Sequence, residues 1–511
     1  MGSKYAFFIG GSGARAFKAF LYACAAGAVH EREVRAALLD SDTGNAACKE
    51  CEELYRQYAW HYETFHEGKA QEAHSAAFQC RVHLYQGRTI SPVPSRESNL
   101  KMVVRGSANG TRALRWFYDA DERKQDLSRG FYAHPNIGCI FFQNFNSQRE
   151  DLDACLKNIA KDLKDGEDVR IAIIGSVFGG TGAAGIPNVL NLVREYCQEA
   201  GAPQAKLRFG GVLITPYFEI PQEKANPASP ARQNLRIDSG TFMANTRAAL
   251  YYYDFTDQFE KTYLVGKATL DTVTQKYFNG GAEQDNKPHI VEVFAAMAVK
   301  RFLEGADHGT TGNVLANILS GNARISWDSG NFDPDFTALG DMLRTQAVLE
   351  TEVYPYLEMK KRGGFGGVYQ WYQSYKMYAD ENQPGIAEMR KFTENYLTWM
   401  YKLQYQCDRA DGENAAKDER VALCGDALGS IREYILTVNS SNPDKKTEKR
   451  SLKKSVDGFN TLVQTAQNAI YVIQKSFLLL SQLSFAPRFM TVLGASGLFL
   501  QLFDLASEKK N

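Results

Sequence analysis

The chain has 511 residues, of which 44% are hydrophobic and 23% charged, the composition of a globular protein too long for one ordinary core. Lys plus Arg and Asp plus Glu both number 59, and this balance excludes a general electrostatic attraction to nucleic acid or to an anionic membrane. The longest late apolar run, residues 489–503, is shorter than the ~20 residues of a membrane-spanning helix. Its small residues Gly494 to Gly497 predict a β-hairpin, so we expect no membrane insertion.

Nine cysteines are scattered along the chain. No secretory signal precedes them, because residues 4–9 are a short apolar run that leads straight into a glycine loop. We therefore expect reduced thiols in a cytoplasmic protein. Cys48, Cys51, His61 and His66 form a superficial zinc-finger pattern. The gap between Cys51 and His61 is shorter than the roughly 12 residues that such a finger needs, so all four are predicted to be ordinary helix residues.

Short apolar strands alternate with helical stretches in the first half of the chain. The first and third predicted strands are each followed by a glycine-rich loop and a helix, the pattern of βαβ units on a parallel sheet. In such sheets, ligands bind at the carboxyl ends of the strands. The sequence thus predicts an α/β fold with a Rossmann-like nucleotide-binding domain, whose strands are residues 4–9, 34–39, 168–174, 207–215 and 261–265.

The remaining segments are interpreted from composition and helix breakers. Residues 51–128 are predicted to be mostly helical, and residues 348–405 are rich in aromatic side chains. Residues 437–450 are polar and predict an exposed loop or linker. Residues 451–485 predict one long amphipathic helix that Pro487 ends.

Residues 177–187, VFGGTGAAGIP, hold four glycines and a threonine between a buried strand and a helix. Glycine lets the backbone approach a phosphate closely, and N–H groups at the helix N-terminus then meet the negative charge. The loop lacks the spacing and the lysine of a P-loop, and it departs from the dinucleotide fingerprint, to which residues 10–13 come closer. Residues 177–187 are therefore predicted to bind phosphate.

This loop resembles the phosphate-binding signature loop of the tubulin/FtsZ superfamily. Other segments match that family in the same order, clearly up to about residue 304. Residues 10–13 are similar to its first phosphate loop, 40–45 to its second, 130–138 to its third and 215–219 to its sugar-side loop. The chain resembles a divergent bacterial tubulin-like protein rather than FtsZ itself.

The resemblance implies that GTP or GDP is bound together with Mg²⁺. Asn245 and Asn286 are similar to the two asparagines that recognise guanine, and Asp42, on the phosphate side, is the implied metal ligand. The cofactor-binding residues implied in this way are Gly10, Gly11, Ser12, Gly13, Asp42, Thr43, Ala133, His134, Asn136, Gly179, Gly180, Thr181, Gly182, Thr215, Pro216, Glu219, Asn245 and Asn286.

Several of these residues have a structural explanation that the sequence leaves open. Asp42, Asn245 and Asn286 could each cap a helix N-terminus, and His134 could be an ordinary loop histidine. Asp40, at the end of the second strand, also allows a different function, that of a Rossmann enzyme in which this carboxylate contacts the ribose of a dinucleotide. That interpretation leaves the signature loop and the sugar-side loop unexplained.

In the tubulin/FtsZ family, acidic residues of the next subunit position the attacking water, so hydrolysis depends on head-to-tail polymerisation. Residues 331–335, NFDPD, resemble that acidic loop, which makes Asp333 and Asp335 the candidate catalytic residues. Their spacing departs from FtsZ, and an Asp-Pro turn is the competing explanation.

The resemblance therefore implies a self-assembling GTPase. Its expected parts are a GTP-binding domain (residues 1–285), a central connecting helix (286–304), a second, activation-like α+β domain (305–435) and a helical C-terminal region (436–511). The alternative is a non-polymerising module in which nucleotide occupancy gates the binding of an unknown protein partner by the C-terminal helices.

Overall fold

The computed structural model describes most of the first 310 residues and separate stretches after them. The described ranges are residues 2–66, 75–93, 98–103, 108–120, 122–145, 150–219, 240–268, 270–272, 287–310, 313–319, 325, 332–354, 357, 384–404, 423 and 494–507. Asn286, Asn331, the predicted loop 437–450 and the predicted helix 451–485 lie outside the described residues.

The described residues form nine strands. They are β1 (Lys4–Ile9), β2 (Glu33–Leu39), β3 (Arg81–Leu84), β4 (Val169–Ser176), β5 (Leu207–Ile214), β6 (Phe218–Glu219), β7 (Lys261–Lys267), β8 (Asp271–Thr272) and β9 (Val314–Leu319). Seven of them make one sheet in the order β3-β2-β1-β4-β5-β7-β9, with every neighbouring pair parallel, and β6 pairs with β8. The strand order runs outwards in both directions from β1 and β4. This is a Rossmann-like arrangement with its switch point between those two strands, and it confirms the α/β class.

The central strands β1, β4 and β5 are buried on both faces, as expected for a parallel sheet, whereas the edge strands β3 and β9 are partly exposed. In β1, Ala6 and Phe8 contribute to the apolar core on one face, whereas Tyr5 and Phe7 contribute to the core on the other. Side chains alternate between the faces of a strand, so a near-continuous apolar sequence is what two covered faces require.

Twelve helices are described, and the longer ones cover the two faces of the sheet. Helices α1, α2 and α9 share the core of the Phe8 face, and α5, α6 and α7 share the other. Among the described residues, no helix combines the length and apolar composition that crossing a bilayer requires. The helices are α1 (Gly10–Ala25), α2 (Ala46–His66), α3 (Leu100–Val103), α4 (Ala108–Phe117), α5 (Pro135–Phe145), α6 (Asp153–Lys164), α7 (Gly180–Glu199), α8 (Gly240–Thr256), α9 (Ile290–Glu304), α10 (Ala338–Val348), α11 (Pro384–Gln404) and α12 (Gly494–Ser507).

Helix α9 is buried along almost its whole length, and both of its ends are defined by local chemistry. His289 and Glu292 form a capping box at the N-terminus, and Gly305, with φ of +71°, ends the helix in the left-handed conformation. A helix is thus present over most of residues 286–304, where the resemblance implied the connecting helix.

The structure differs from the sequence-based predictions at three elements. Strand β3 lies in a segment predicted to be mostly helical, where its four residues are too short to give a periodic signal. Strand β9, which falls in the predicted second domain, instead pairs with β7 at the edge of the main sheet. The predicted hairpin at 489–503 is wrong, because residues 494–507 form α12, whose Leu498, Phe499 and Phe503 are buried.

The C-terminal helices pack on the same core as α1 and α2. The ring of Tyr22 in α1 lies 4.5 Å from that of Trp399 and 5.0 Å from that of Tyr396, both in α11. Phe65 at the end of α2 stacks on Phe499 of α12 at 5.5 Å. In the described residues, the C-terminal helices thus share a core with the first half of the chain.

We expect Trp399→Ala to lower the free energy of unfolding by about 3–5 kcal/mol, because it removes a fully buried ring that touches α1. Urea denaturation of the full chain measures the change. Trp116→Ala is the matched control, since Trp116 is 76% exposed and should alter stability by less than about 0.5 kcal/mol. Equal small effects of the two substitutions would contradict the packing of α11 on α1.

Candidate functional site

A pocket opens at the carboxyl ends of β1, β2 and β4, at the switch point of the sheet. Ligands of α/β sheets bind at this position because the loops that follow neighbouring strands meet there. The first loop, the second loop, the third loop and the signature loop all contribute. The lining residues are Gly10, Gly11, Ser12, Arg15, Asp40, Asp42, Asn45, Arg129, Gly130, Phe131, Tyr132, Ala133, Ser176, Phe178, Gly179, Gly180, Thr181, Gly182, Phe218 and Phe242.

Two helices begin at this pocket. Neither α1 nor α7 has a side-chain cap or an acidic residue in its first turn. Their first N–H groups and the positive ends of both helix dipoles are therefore available to an anion. This geometry suits phosphate binding.

The two helix starts touch each other through glycines. A Cβ on Gly10 would lie 3.3 Å from the backbone nitrogen of Gly182, and Gly10 has a φ of +75°. A Cβ on Gly182 would lie 2.5 Å from the carbonyl oxygen of Ser176. Glycine is thus required at both positions, whereas a Cβ on Gly11 would meet only Arg15 Nη1, at 3.6 Å.

The second loop contributes a buried carboxylate that the list of implied ligands omitted. Asp40 accepts hydrogen bonds from the Asp42 backbone at 3.2 Å, from Thr181 Oγ1 at 3.3 Å and from Asn45 Nδ2 at 2.9 Å. Burial, with a smaller contribution from the charge of Asp42, raises the pKa of Asp40 to about 6, although these hydrogen bonds oppose the shift. Asp40 therefore joins the second loop to the signature loop.

The helix cap that the sequence offered to Asp42 belongs to Asn45. Asn45 Oδ1 accepts from Cys48 N at 2.8 Å, in the first turn of α2. Asp42 Oδ1 accepts instead from Gly44 N at 3.2 Å, and Asp42 lines the pocket. Thr43 lies in the same loop but does not line the pocket.

The third loop holds strained backbone beside the pocket. Tyr132 and Ala133 have φ of 49° and 58°, a conformation that costs non-glycine residues on the order of 1–3 kcal/mol each. His134 Nδ1 contacts the carbonyl oxygen of Tyr132 at 2.6 Å. Of the residues implied in this loop, Ala133 lines the pocket and His134 and Asn136 do not.

Asn245 clamps two loops together. Its Nδ2 donates to the carbonyl oxygens of Ala133 at 3.0 Å and Phe178 at 3.1 Å. It lies in the second turn of α8, so the N-cap explanation is wrong. Asn245 does not line the pocket.

Three phenylalanines form an aromatic cluster at the pocket. The ring of Phe178 lies 4.8 Å from that of Phe242 and 5.7 Å from that of Phe218. The implied residues of the sugar-side loop, Thr215, Pro216 and Glu219, do not line the pocket, nor does Gly13 of the first loop. Phe178 and Phe218 are adjacent to motif residues in the sequence, which was the available signal for them.

Asp333 and Asp335 lie near the amino ends of the strands, whereas the pocket lies at the carboxyl ends. They bind Lys300 and Arg301 near the end of α9, a region that also contacts Lys4 at the start of β1. The six residues of β1 span about 20 Å, and the pocket is at its other end. The two carboxylates thus cannot reach the pocket of their own chain.

The acidic pair is already engaged. Asp333 accepts from Arg301 Nη1 at 3.2 Å and from the Asp335 backbone at 3.2 Å, which makes it the cap of a 3₁₀ turn at Pro334–Thr337. Asp335 accepts from Lys300 and is 36% exposed. Burial lowers the pKa of Lys300, but the hydrogen bond to Asp335 and the neighbouring carboxylates raise it above its ordinary value.

The residues of the zinc-finger pattern all lie in α2, as predicted. His61 is buried, its Nδ1 contacts the Gln57 carbonyl oxygen at 2.7 Å, and burial lowers its pKa to about 4. Among the described residues, one group of three His, Cys, Asp or Glu side chains has its ligand atoms within 4.8 Å of one another, namely His30, Glu304 and Asp335. The Lys300 ammonium already binds both of those carboxylates.

Comparisons with known proteins find no matching family model, no matching curated protein and no matching solved structure. The function must therefore be inferred from the site itself.

We expect Asp40→Asn to remove a pH dependence of stability. Asp40 has a pKa raised from 3.8 to about 6, so folding favours its protonated form. The stability that protonation contributes is complete below about pH 4 and is lost as the pH rises through 6, a change of about 3 kcal/mol. Urea denaturation of both proteins, without ligand or divalent metal, measures the difference between pH 4 and 7. Parallel profiles would contradict the buried position of Asp40.

Proposed function

We propose that this chain is a GTP-binding protein of the tubulin/FtsZ type that assembles head to tail and hydrolyses GTP between subunits. The observation that carries the nucleotide part is the meeting of two uncapped helix N-termini, built on glycine loops, at the switch point of the sheet. A phosphate chain is the ligand that such a pair of N-termini suits best. The aromatic cluster beside it offers surfaces on which a base can stack.

The residues of the second loop fit the magnesium ion that the resemblance implies. Asp40 and Asp42, with the hydroxyl groups of Ser41 and Thr181, are oxygen donors beside the glycine loops. Mg²⁺ is usually held by one or two carboxylates together with phosphates and water. Bound there, it would neutralise charge on the phosphates.

Hydrolysis is assigned to the interface between subunits because of where the acidic pair lies. In a head-to-tail assembly, the face of one subunit that carries Asp333 and Asp335 meets the face of the next subunit that carries the pocket. Asp335, the more exposed of the two, is then the residue that orients the attacking water. Under this proposal, residues 1–285 and β9 form the nucleotide domain, and α9 is the central helix. The residues that follow β9 up to 435 form the second domain, and 436–511 form the C-terminal region.

A second candidate is a non-polymerising nucleotide-binding module. The ion pairs of Asp333 and Asp335 with Lys300 and Arg301 favour it, because carboxylate oxygens that already bind cations are less available to orient a water molecule. In this function, nucleotide occupancy gates a partner protein at the C-terminal helices.

GTP turnover per molecule, measured against protein concentration with Mg²⁺, separates the two candidates. For the assembling GTPase we expect a threshold followed by a rise, and we expect Asp335→Asn to reduce the assembled rate about 100-fold without weakening GTP binding. Asp153→Asn, which also removes a carboxylate that pairs with a lysine, is the control and should leave turnover unchanged. A flat, near-zero rate with GTP still bound would support the module and remove Asp335 as a catalytic residue.

A further inference from the structure

The two asparagines that the resemblance assigned to guanine recognition do not supply a base contact in the described structure. The Nδ2 group of Asn245 already donates to two backbone carbonyl oxygens. Asn286 lies outside the described residues. Within the described residues, selection of one purine over another thus depends on a polar group other than the Asn245 amide.

Arg15 is the buried cation of the pocket lining. It is 7% exposed, whereas Arg129, the other arginine of the lining, is exposed. Its Nε donates to Glu292 Oε1 at 2.5 Å, and its Nη2 donates to Ser12 Oγ at 3.2 Å and to Tyr217 OH at 2.8 Å. No acceptor among the described residues binds Nη1, which lies beside Gly11 at the pocket.

Glu292 and Tyr217 hold the guanidinium in place, and the carboxylate of Glu292 neutralises it. Glu292 is 2% exposed, and its Oε1 also accepts from Tyr217 OH at 2.7 Å. A guanidinium paired with a carboxylate adds little net attraction for a polyphosphate. Its remaining N–H groups keep their direction, however, and suit neutral acceptor atoms.

Arg15 also lies at the edge of the aromatic cluster. Tyr217, which accepts from Arg15, has its ring 4.9 Å from that of Phe218 and 6.2 Å from that of Phe178. A base that stacks on this cluster would therefore present its edge near Arg15 Nη1.

We propose that Arg15 is a specificity-determining residue for the purine base, donating from Nη1 to the O6 acceptor of guanine, with Glu292 and Tyr217 as positioning residues. The inference rests on the proposed nucleotide function. Arginine is the side chain that most often donates to guanine in the major groove of DNA, where O6 is one of the acceptors. Adenine carries an amino donor at position 6, so the same guanidinium disfavours it.

Competition binding of GTP, ITP and ATP to the full chain with Mg²⁺ tests the inference. Inosine keeps O6 and N7 and lacks the 2-amino group, so GTP and ITP should bind alike and ATP about tenfold or more weakly. In Arg15→Met, GTP and ITP should weaken to the level of ATP. Because this change leaves Glu292 buried without its partner, the double variant Arg15→Met/Glu292→Gln removes the charge, keeps an acceptor for the capping box, and should lose the preference equally.

Lys18→Met is the control on the same helix, since Lys18 pairs with Glu50 and does not line the pocket. It should keep the wild-type order of affinities. The inference is overturned if both Arg15 variants retain the wild-type ratio of GTP to ATP affinity, or if wild-type protein binds ITP as weakly as ATP. Wild-type protein that binds none of the three would overturn the proposed function, and the inference with it.

Discussion

The contact between the starts of α1 and α7 is the constraint on which the pocket depends. Strands β1 and β4 are neighbours in register, with Ile9 opposite Gly175, so both helices leave the sheet at the same level. Gly10 and Gly182 then meet without side chains between them. A larger residue at either position would separate the helices and disperse the N–H groups that now face one space. The second and third loops are held around this contact by Asp40, which binds Thr181, and by the Asn245 clamp.

Helix α9 runs between the two ends of the strands, from the pocket at their carboxyl ends to the acidic pair at their amino ends. Near its N-terminus, Glu292 belongs to the capping box and also binds Arg15 at the pocket. Near its C-terminus, Lys300 and Arg301 bind Asp333 and Asp335. One buried helix therefore contacts both the pocket and the acidic pair. Because packed helices move as units, a shift of α9 would change its contacts at the pocket and at the acidic pair together.

The sequence predicted those parts of the fold that local patterns encode. The apolar runs and the glycines that follow them predicted five strands of the main sheet. It missed β3 and β9, which are short or at the edge, and it mistook α12 for a hairpin because Gly494 and Gly497 suggested a turn. Within the site, the glycine loops were predictable because their glycines directly follow apolar runs in the sequence. Arg15, Asp40 and the aromatic cluster could not be predicted as a group, since tertiary contacts alone bring them together. The sequence also could not show that Asn45, and not Asp42, caps the N-terminus of α2, because the folded loop determines which side chain reaches the first turn.

The most direct test of the central claim is a crystal structure of the full chain with Mg²⁺ and a non-hydrolysable GTP analogue. We expect the phosphates within hydrogen-bond distance of backbone N–H groups at the starts of both α1 and α7, with Mg²⁺ on the side of Asp40 and Asp42. A nucleotide bound elsewhere, or one whose phosphates contact neither helix start, would contradict the assignment of this pocket.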